Sequence, residues 1–146
     1  MASIPDTPAE VLAWLQRFHD INDSLQVTDF DKVYAETAQL TFANHPAAKG
    51  LDAIRQALLP SFTRLAYMKH VTRRATAPDK VGDTIWFAVD ITYRVKNDPE
   101  NEEITIPAAA LATLCTDGKD AGKIQRFDVF VDNAPVRQKM EDVSKR

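Results

Sequence analysis

The chain has few side chains that can transfer a proton at neutral pH. Its 146 residues include three histidines, His19, His45 and His70, and imidazole is the side chain whose ordinary pKa, about 6.5, lies nearest neutrality. The single cysteine, Cys115, has no partner for a disulfide or a paired-cysteine metal site. The sequence also lacks a phosphate-binding glycine loop, a dinucleotide fingerprint and the histidine spacings of metal sites. We therefore expect acid/base chemistry by histidine, tyrosine or carboxylate groups, with no metal and no cofactor.

The first half of the chain is predicted to be helical. Thr7-Pro8-Ala9-Glu10 forms a capping box with proline at the first helical position. Apolar residues then recur at helical spacing at Val11, Trp14, Leu15, Phe18, Ile21 and Leu25. A short second helix is predicted from Thr28, with Tyr34 on its buried edge, and a third over residues 51–65. Because His19 falls between Phe18 and Asp20, it is predicted at the surface or edge of the first helix.

The second half reads as a sheet. A short strand at 38–42 precedes four longer runs at 68–77, 83–96, 104–116 and 123–132, which polar turns such as Pro78-Asp79 separate. Strands so close in sequence pair most simply as an antiparallel meander. The order of elements predicts an α+β fold in which a curved antiparallel sheet wraps around about three N-terminal helices and leaves a cone-shaped hollow. The polar residues 137–146 are predicted as a frayed or short helical tail.

Alternation along the strands predicts which side chains face that hollow. In the long strand, Ile85, Phe87, Val89, Ile91 and Tyr93 share the apolar face. In the last strand, Phe127 and Val129 do the same. Strict alternation puts Asp90, Arg126 and Asp128 on the outer face. A single β-bulge would reverse the faces, so an inward Asp90 acting as an acid/base carboxylate is kept as the alternative.

Composition limits the class of protein. The chain carries 18 Lys and Arg against 21 Asp and Glu, a net charge of −3, which does not suit a nucleic-acid binder. No basic-then-apolar leader and no apolar run of membrane-spanning length is seen. We expect one domain over residues 1–146, with its core at about 8–135, in a soluble cytoplasmic protein without a membrane or nucleic-acid partner.

Three stretches resemble the SnoaL-like branch of the nuclear transport factor two-like superfamily. They are residues 42–54 (FANHPAAKGLDAI), Gly82-Asp83 before the long strand, and residues 122–132 (GKIQRFDVFVD). The resemblance spans about residues 8–135 and implies a conical α+β barrel, an internal pocket and frequent homodimers. The superfamily includes polyketide cyclases, steroid isomerases, scytalone dehydratase, limonene epoxide hydrolase and pure binding modules, so the reaction has to be argued from the site.

The resemblance also suggests roles for particular residues. A histidine at the place of His70 tends to face the cavity in scytalone-dehydratase-like and cyclase-like members, so His70 is the expected proton carrier. Tyr93 or Tyr67 would donate a hydrogen bond to the substrate, and Asp90 would be the carboxylate only if it faces inward. Where epoxide hydrolases of the superfamily carry water-activating carboxylates, this chain has only aliphatic residues, Val89, Ile91 and Val129, which counts against that reaction.

The predicted substrate-binding set is mostly apolar and aromatic: Trp14, Phe18, Tyr34, His45, Phe62, Phe87, Val89, Ile91, Ala110, Phe127 and Val129. These observations favour a cofactor-independent enzyme of secondary metabolism, an isomerase, cyclase or dehydratase acting on a small apolar oxygenated molecule. The alternative is a non-catalytic module of the same fold that binds a small molecule or dimerises. In either case the outer sheet face, with Trp86, Arg94, Arg126 and Phe130, is a candidate contact with a second copy of the chain.

Overall fold

The structure, a computed structural model, describes residues 4–76 and 84–146. Its elements follow in this order: α1 (Pro8–Asp23), a 3-10 helix (Thr28–Lys32), β1 (Tyr34–Phe42), β2 (Ala48–Lys49), α2 (Leu51–Thr63), β3 (Leu65–Ala75), β4 (Thr84–Val95), β5 (Ile104–Leu114), β6 (Ile124–Val131) and α3 (Ala134–Ser144). The turn predicted at Pro78-Asp79 and the Gly82-Asp83 motif lie outside the described residues. The predicted α+β fold is confirmed.

Helix α1 begins at the predicted capping box. The Thr7 side chain accepts a hydrogen bond from the backbone N–H of Glu10, and Pro8 occupies the first helical position. The helix lies against β3 and α2 lies against β1, so both helices cover the face of the sheet that carries the apolar side chains. Gly50 precedes α2 with φ of 92°, a left-handed conformation that glycine adopts without strain.

The sheet has six strands in the order β2-β1-β6-β5-β4-β3. Strands β3 to β6 form the predicted antiparallel meander. The sheet is nevertheless mixed rather than wholly antiparallel, because β6 also pairs with β1 in parallel. Pairing of β4 with β5 runs without a register shift from Thr84↔Thr113 to Tyr93↔Ile104. The inward and outward faces of β4 therefore never exchange.

Two boundaries differ from the prediction. Strand β1 begins at Tyr34, which the sequence pattern put on the edge of the short helix, and its buried residues pack into the core. The C-terminal tail is a regular helix, α3, that buries Val136 and Met140 against the core, with β4 beneath it. Apolar residues four positions apart hold this otherwise polar helix in place. Within 4–76 and 84–146, no helix combines the length and apolar character that a bilayer crossing requires.

Candidate functional site

A cavity of about 390 Å³ lies between the sheet and the helices. This volume is within the range of small-molecule pockets, roughly 300–1,000 Å³. Most of its lining is buried and apolar, from α1, α2 and strands β1 and β3 to β6. The lining residues that are exposed to solvent define the rim of the cavity: His45, Pro46, Ala57, Ser61 and Arg137.

His70 and Asp23 form the principal polar pair of the site. His70 lines the cavity, and its Nδ1 lies 2.5 Å from Oδ1 of Asp23. The other carboxylate oxygen of Asp23 accepts a hydrogen bond of 3.0 Å from the backbone N–H of His70. Both side chains are largely buried, with 16% and 12% of their surface exposed. Because Asp23 holds Nδ1, Nε2 is the ring nitrogen of His70 left for a ligand.

The pair joins two elements that the fold packs together. Asp23 is the last residue of α1, and His70 stands in the middle of β3, against which α1 lies. Asp23 was not singled out from the sequence. The sequence did contain one indication of its role: a carboxylate in the last turn of a helix lies at the negative end of the helix macrodipole, which is unfavourable without a compensating partner. No basic residue lies in that turn to compensate it, so a partner elsewhere in the fold is expected.

The prediction that His19 is a surface or edge residue is wrong. Its side chain is buried, its Nε2 lies 2.9 Å from the Thr72 hydroxyl, and its ring stacks on the ring of His70 at 5.1 Å and 10°. Burial, and next the charge of His70, lowers the pKa of His19 to about 4. Its Nδ1 is buried without a hydrogen-bond partner. His19 is therefore a neutral member of the cavity wall at pH 7.

Spacing along α1 explains this correction. His19 follows Leu15 by four residues, and Asn22 follows Phe18 by four, so both continue the buried face of the helix. Asn22 also lines the cavity, and its amide donates to the Phe18 carbonyl at 2.9 Å. The apolar periodicity missed them because it counts polar residues as solvent-facing.

The three tyrosines occupy different environments. Tyr93 and Tyr34 line the cavity, and burial raises the pKa of both phenols, helped at Tyr93 by the charge of Asp23. Both remain neutral hydroxyls that can donate a hydrogen bond. Tyr67 does not line the cavity. Its ring carries the Arg94 guanidinium at 4.3 Å on the outer face, so the structure does not support its role as a hydrogen-bond donor to substrate.

Asp90 faces outward, so the alternative in which it acts as the catalytic carboxylate is wrong. Its carboxylate lies 3.6 Å from the Arg73 guanidinium, and 42% of its side chain is exposed. Unbroken register with β5 keeps it on the side opposite Val89 and Ile91. Asp128 is likewise outside the cavity, where it accepts a bond of 3.1 Å from Arg126. The carboxylate near the cavity comes from a helix instead of the sheet.

The structure brings most of the predicted binding residues to the cavity. Those that line it are Phe18, Tyr34, His45, Phe62, Phe87, Val89, Ile91, Ala110, Phe127 and Val129. Phe127 is central to this wall, with Phe18 edge-on at 5.1 Å and Phe87 stacked at 6.1 Å. Trp14 does not line the cavity. Its ring packs behind Phe18, and its indole N–H donates to the buried Gly122 carbonyl at 3.0 Å.

The polar side chains of the site determine the chemistry it can support. Among residues 4–76 and 84–146, no group of three or more histidine, cysteine, aspartate or glutamate side chains is placed to hold a metal ion. The polar groups of the site include an aspartate-bound imidazole, a neutral second imidazole, an amide and two phenols. Such a set can accept, hold and return a proton beside an apolar ligand.

No family model matches the sequence, and no curated protein matches it. Solved structures do match the fold. A protein from Jannaschia sp. CCS1 named as a SnoaL-like polyketide cyclase aligns with a TM-score of 0.70 and 15% identity, over 88% of this chain and 90% of its own. One named as a scytalone dehydratase from Novosphingobium aromaticivorans has a TM-score of 0.70 and 14% identity, over 84% and 81%.

A third similar structure is an NTF2-like protein of unknown function from Exiguobacterium sp. 255-15. Its TM-score is 0.62 at 23% identity, over 83% of this chain and 99% of its own. At these identities the likeness concerns the fold. The helices on one face of the sheet, the internal cavity and these matches together show that the chain has the same cone fold as these SnoaL-like and NTF2-like structures.

Proposed function

We propose that this protein is an acid/base enzyme that isomerises, cyclises or dehydrates a small apolar oxygenated molecule without a cofactor, in secondary metabolism. The observation that carries the proposal is that His70, on the wall of a largely apolar cavity, is bonded through Nδ1 to the largely buried Asp23. A buried aspartate bonded to Nδ1 fixes the imidazole tautomer and orientation, which a catalytic base needs. Solved structures of the same fold that are named as a polyketide cyclase and a scytalone dehydratase support this class of reaction.

The geometry supports a simple proton path. Nε2 of His70 removes a proton from carbon next to a carbonyl group of the substrate, and Asp23 stabilises the imidazolium that results. The Tyr93 phenol, kept neutral by burial, donates a hydrogen bond to the carbonyl oxygen on which negative charge develops. His70 then returns the proton to another carbon in an isomerisation or to a departing hydroxyl in a dehydration. In a cyclisation, the enolate carbon bonds to a second carbonyl carbon of the same substrate as that C=O π bond breaks, and His70 returns the proton to the resulting alkoxide.

The apolar wall supports the same chemistry. Phe87, Phe127 and Val129 surround the cavity and keep water from the developing charge. The stacked ring of His19 fixes the plane of the His70 imidazole. Because the pKa of His19 is lowered to about 4, His19 adds no positive charge beside its neighbour at neutral pH.

The proposal is tested by solvent deuterium exchange into 2-tetralone, an apolar enolisable ketone, followed by NMR in D₂O. The wild-type protein should accelerate exchange at the carbons next to the carbonyl. His70→Asn removes the base and should lower the rate by about 10²–10⁴-fold. Asp23→Asn should also lower it, because the imidazole loses its fixed tautomer. Asp90→Asn, an acid-to-amide change on the outer face, is the matched control and should leave the rate unchanged.

Exchange at the wild-type rate in folded His70→Asn protein would rule out the mechanism. If the wild-type protein binds 2-tetralone but gives no exchange above buffer, the second candidate, a non-catalytic binding module, is favoured. The continuous aromatic wall around Phe127 is the observation that supports this candidate.

A further inference from the structure

Arg137 lines the rim of the cavity from α3. The helix that carries it is fixed in place, because Val136 and Met140 are 4% and 5% exposed on either side of it in the sequence. Lys139 anchors the helix further, with its Nζ 2.9 Å from Glu102, 3.4 Å from Asp98 and 3.9 Å from Glu100. The guanidinium of Arg137 therefore stands on a rigid element beside the opening.

The charge of Arg137 is uncompensated. Among residues 4–76 and 84–146 it forms no ion pair within 4 Å, whereas Lys139, two residues away, meets three carboxylates. The carboxylates nearest to it in sequence are Glu141, one turn along α3, and Asp132, which accepts a hydrogen bond from the Ala134 backbone N–H at 3.0 Å. The described residues that line the cavity include no aspartate or glutamate. The guanidinium is exposed to solvent and is free to pair with an anionic group of a ligand in the cavity.

Other polar side chains accompany Arg137 in the lining. Asn133 precedes it by one helical turn, and Ser61 and His45 are exposed at the rim. Guanidinium, amide and hydroxyl groups donate hydrogen bonds, and a guanidinium fork fits the two oxygens of a carboxylate. The buried part of the lining is apolar apart from two tyrosine hydroxyls and the polar groups around His70. The lining therefore divides into an anion-attracting rim and an apolar interior.

We propose that the ligand of this site is a small organic acid, whose carboxylate binds Arg137 at the rim while its apolar oxygenated body fills the cavity. The proposal deepens the proposed function, on which it rests, by naming the substrate class. Arg137 would set specificity, and the proton chemistry would remain with His70.

The test compares an acid with its neutral isostere, 1-naphthaleneacetate and 1-naphthaleneacetamide, by equilibrium binding at pH 8. Both share the apolar ring system, and at this pH they differ in charge. Wild-type protein should bind the acid about fivefold more tightly, as one partly exposed charge-assisted contact allows. Arg137→Gln should remove the preference and leave amide binding unchanged, and Arg137→Lys should keep part of it. Arg73→Gln, the same change on the outer face, should keep all of it.

Equal binding of acid and amide by the wild-type protein would overturn the proposal. So would a full preference in folded Arg137→Gln protein, or an equal loss of both ligands, since the latter would mean that Arg137 only packs against the ligand. The readout does not depend on turnover. If the protein prefers the acid but does not catalyse deuterium exchange, the proposed catalysis is contradicted and the proposed ligand class is retained. If it catalyses exchange but does not prefer the acid, the ligand class is contradicted and the catalysis is retained.

Discussion

At the scale of single residues, the site depends on two histidines in different states. His70 was found from the resemblance, which implied an inward histidine on that strand. His19 and Asp23 were not found, because burial of a polar side chain is decided by contacts across the fold. Two contacts allow His19 to be buried: its Nε2 is hydrogen-bonded to the Thr72 hydroxyl, and the ring of His70 stacks on its imidazole. Such partners are about 50 residues away in sequence and leave no local pattern.

His19 should make stability depend on pH. Its pKa is lowered from 6.5 to about 4 in the folded protein, so between these values the unfolded chain binds a proton that the folded chain does not. Its contribution to stability is therefore complete above pH 6.5 and is lost as the pH falls toward 4. From pH 7 to pH 5 the free energy of unfolding should fall by about 2 kcal/mol from this group.

Urea unfolding at both pH values checks this prediction in the wild-type protein and in His19→Phe, which keeps a ring but cannot titrate. The fall in unfolding free energy between pH 7 and pH 5 should be about 2 kcal/mol smaller in the variant. His19→Gln serves the same purpose if phenylalanine does not fit. An unchanged pH dependence in both variants would mean that His19 is not the group responsible.

At the scale of elements, alternation predicted the inward face of β4 correctly, because a half-buried strand places every second side chain in the core. Phe87, Val89 and Ile91 all line the cavity. The sequence pattern left the C-terminal tail open between a frayed segment and a short helix, because only two apolar residues, Val136 and Met140, mark the buried side of α3. What holds that helix besides them is a set of ion pairs with the β4–β5 turn, which periodicity does not detect.

Lys139→Met should loosen α3. The variant removes the cation shared by Asp98, Glu100 and Glu102 while keeping an unbranched side chain. The pKa of Asp98 is lowered by backbone N–H groups and by Lys139, so it should rise in the variant. Backbone amides of residues 136–144 should exchange hydrogen faster, as followed by NMR. Lys145→Met, at the end of the same helix, is the control, and equal exchange in both variants would contradict the role of Lys139.

At the scale of the whole molecule, the outer face of the sheet is unusually apolar for an exposed surface. Trp86 and Phe130 stack at 6.3 Å and 18°, and they are 47% and 55% exposed. The pairs Arg73–Asp90 and Arg126–Asp128 balance charge around them. An apolar centre with equal numbers of both charges can meet its own copy across a two-fold axis. We propose that a second copy of the chain covers this face.

Sedimentation velocity tests the dimer. Wild-type protein should sediment at twice the chain mass, and Trp86→Glu should shift it to the monomer because a carboxylate would be buried without a partner. Leu12→Glu places the same charge at an exposed apolar residue of α1, on the other side of the molecule, and should leave the dimer intact. A wild-type monomer at tens of micromolar, or a dimeric Trp86→Glu variant, would exclude this interface.

The parallel pairing of β1 with β6 has a consequence for how the chain folds. Strand β1 (Tyr34–Phe42) can pair with β6 (Ile124–Val131) only after β6 has been synthesised, because β6 begins about 90 residues later in the sequence. Until then, two long strands, β1 and β5, keep unpaired backbone groups along the sides that β6 will occupy. Contacts between such distant segments slow folding and lengthen the time during which strand edges are open to other chains. A nascent chain that has not yet released residues 124–131 from the ribosome therefore holds an open sheet, and a chain terminated before these residues is expected to aggregate.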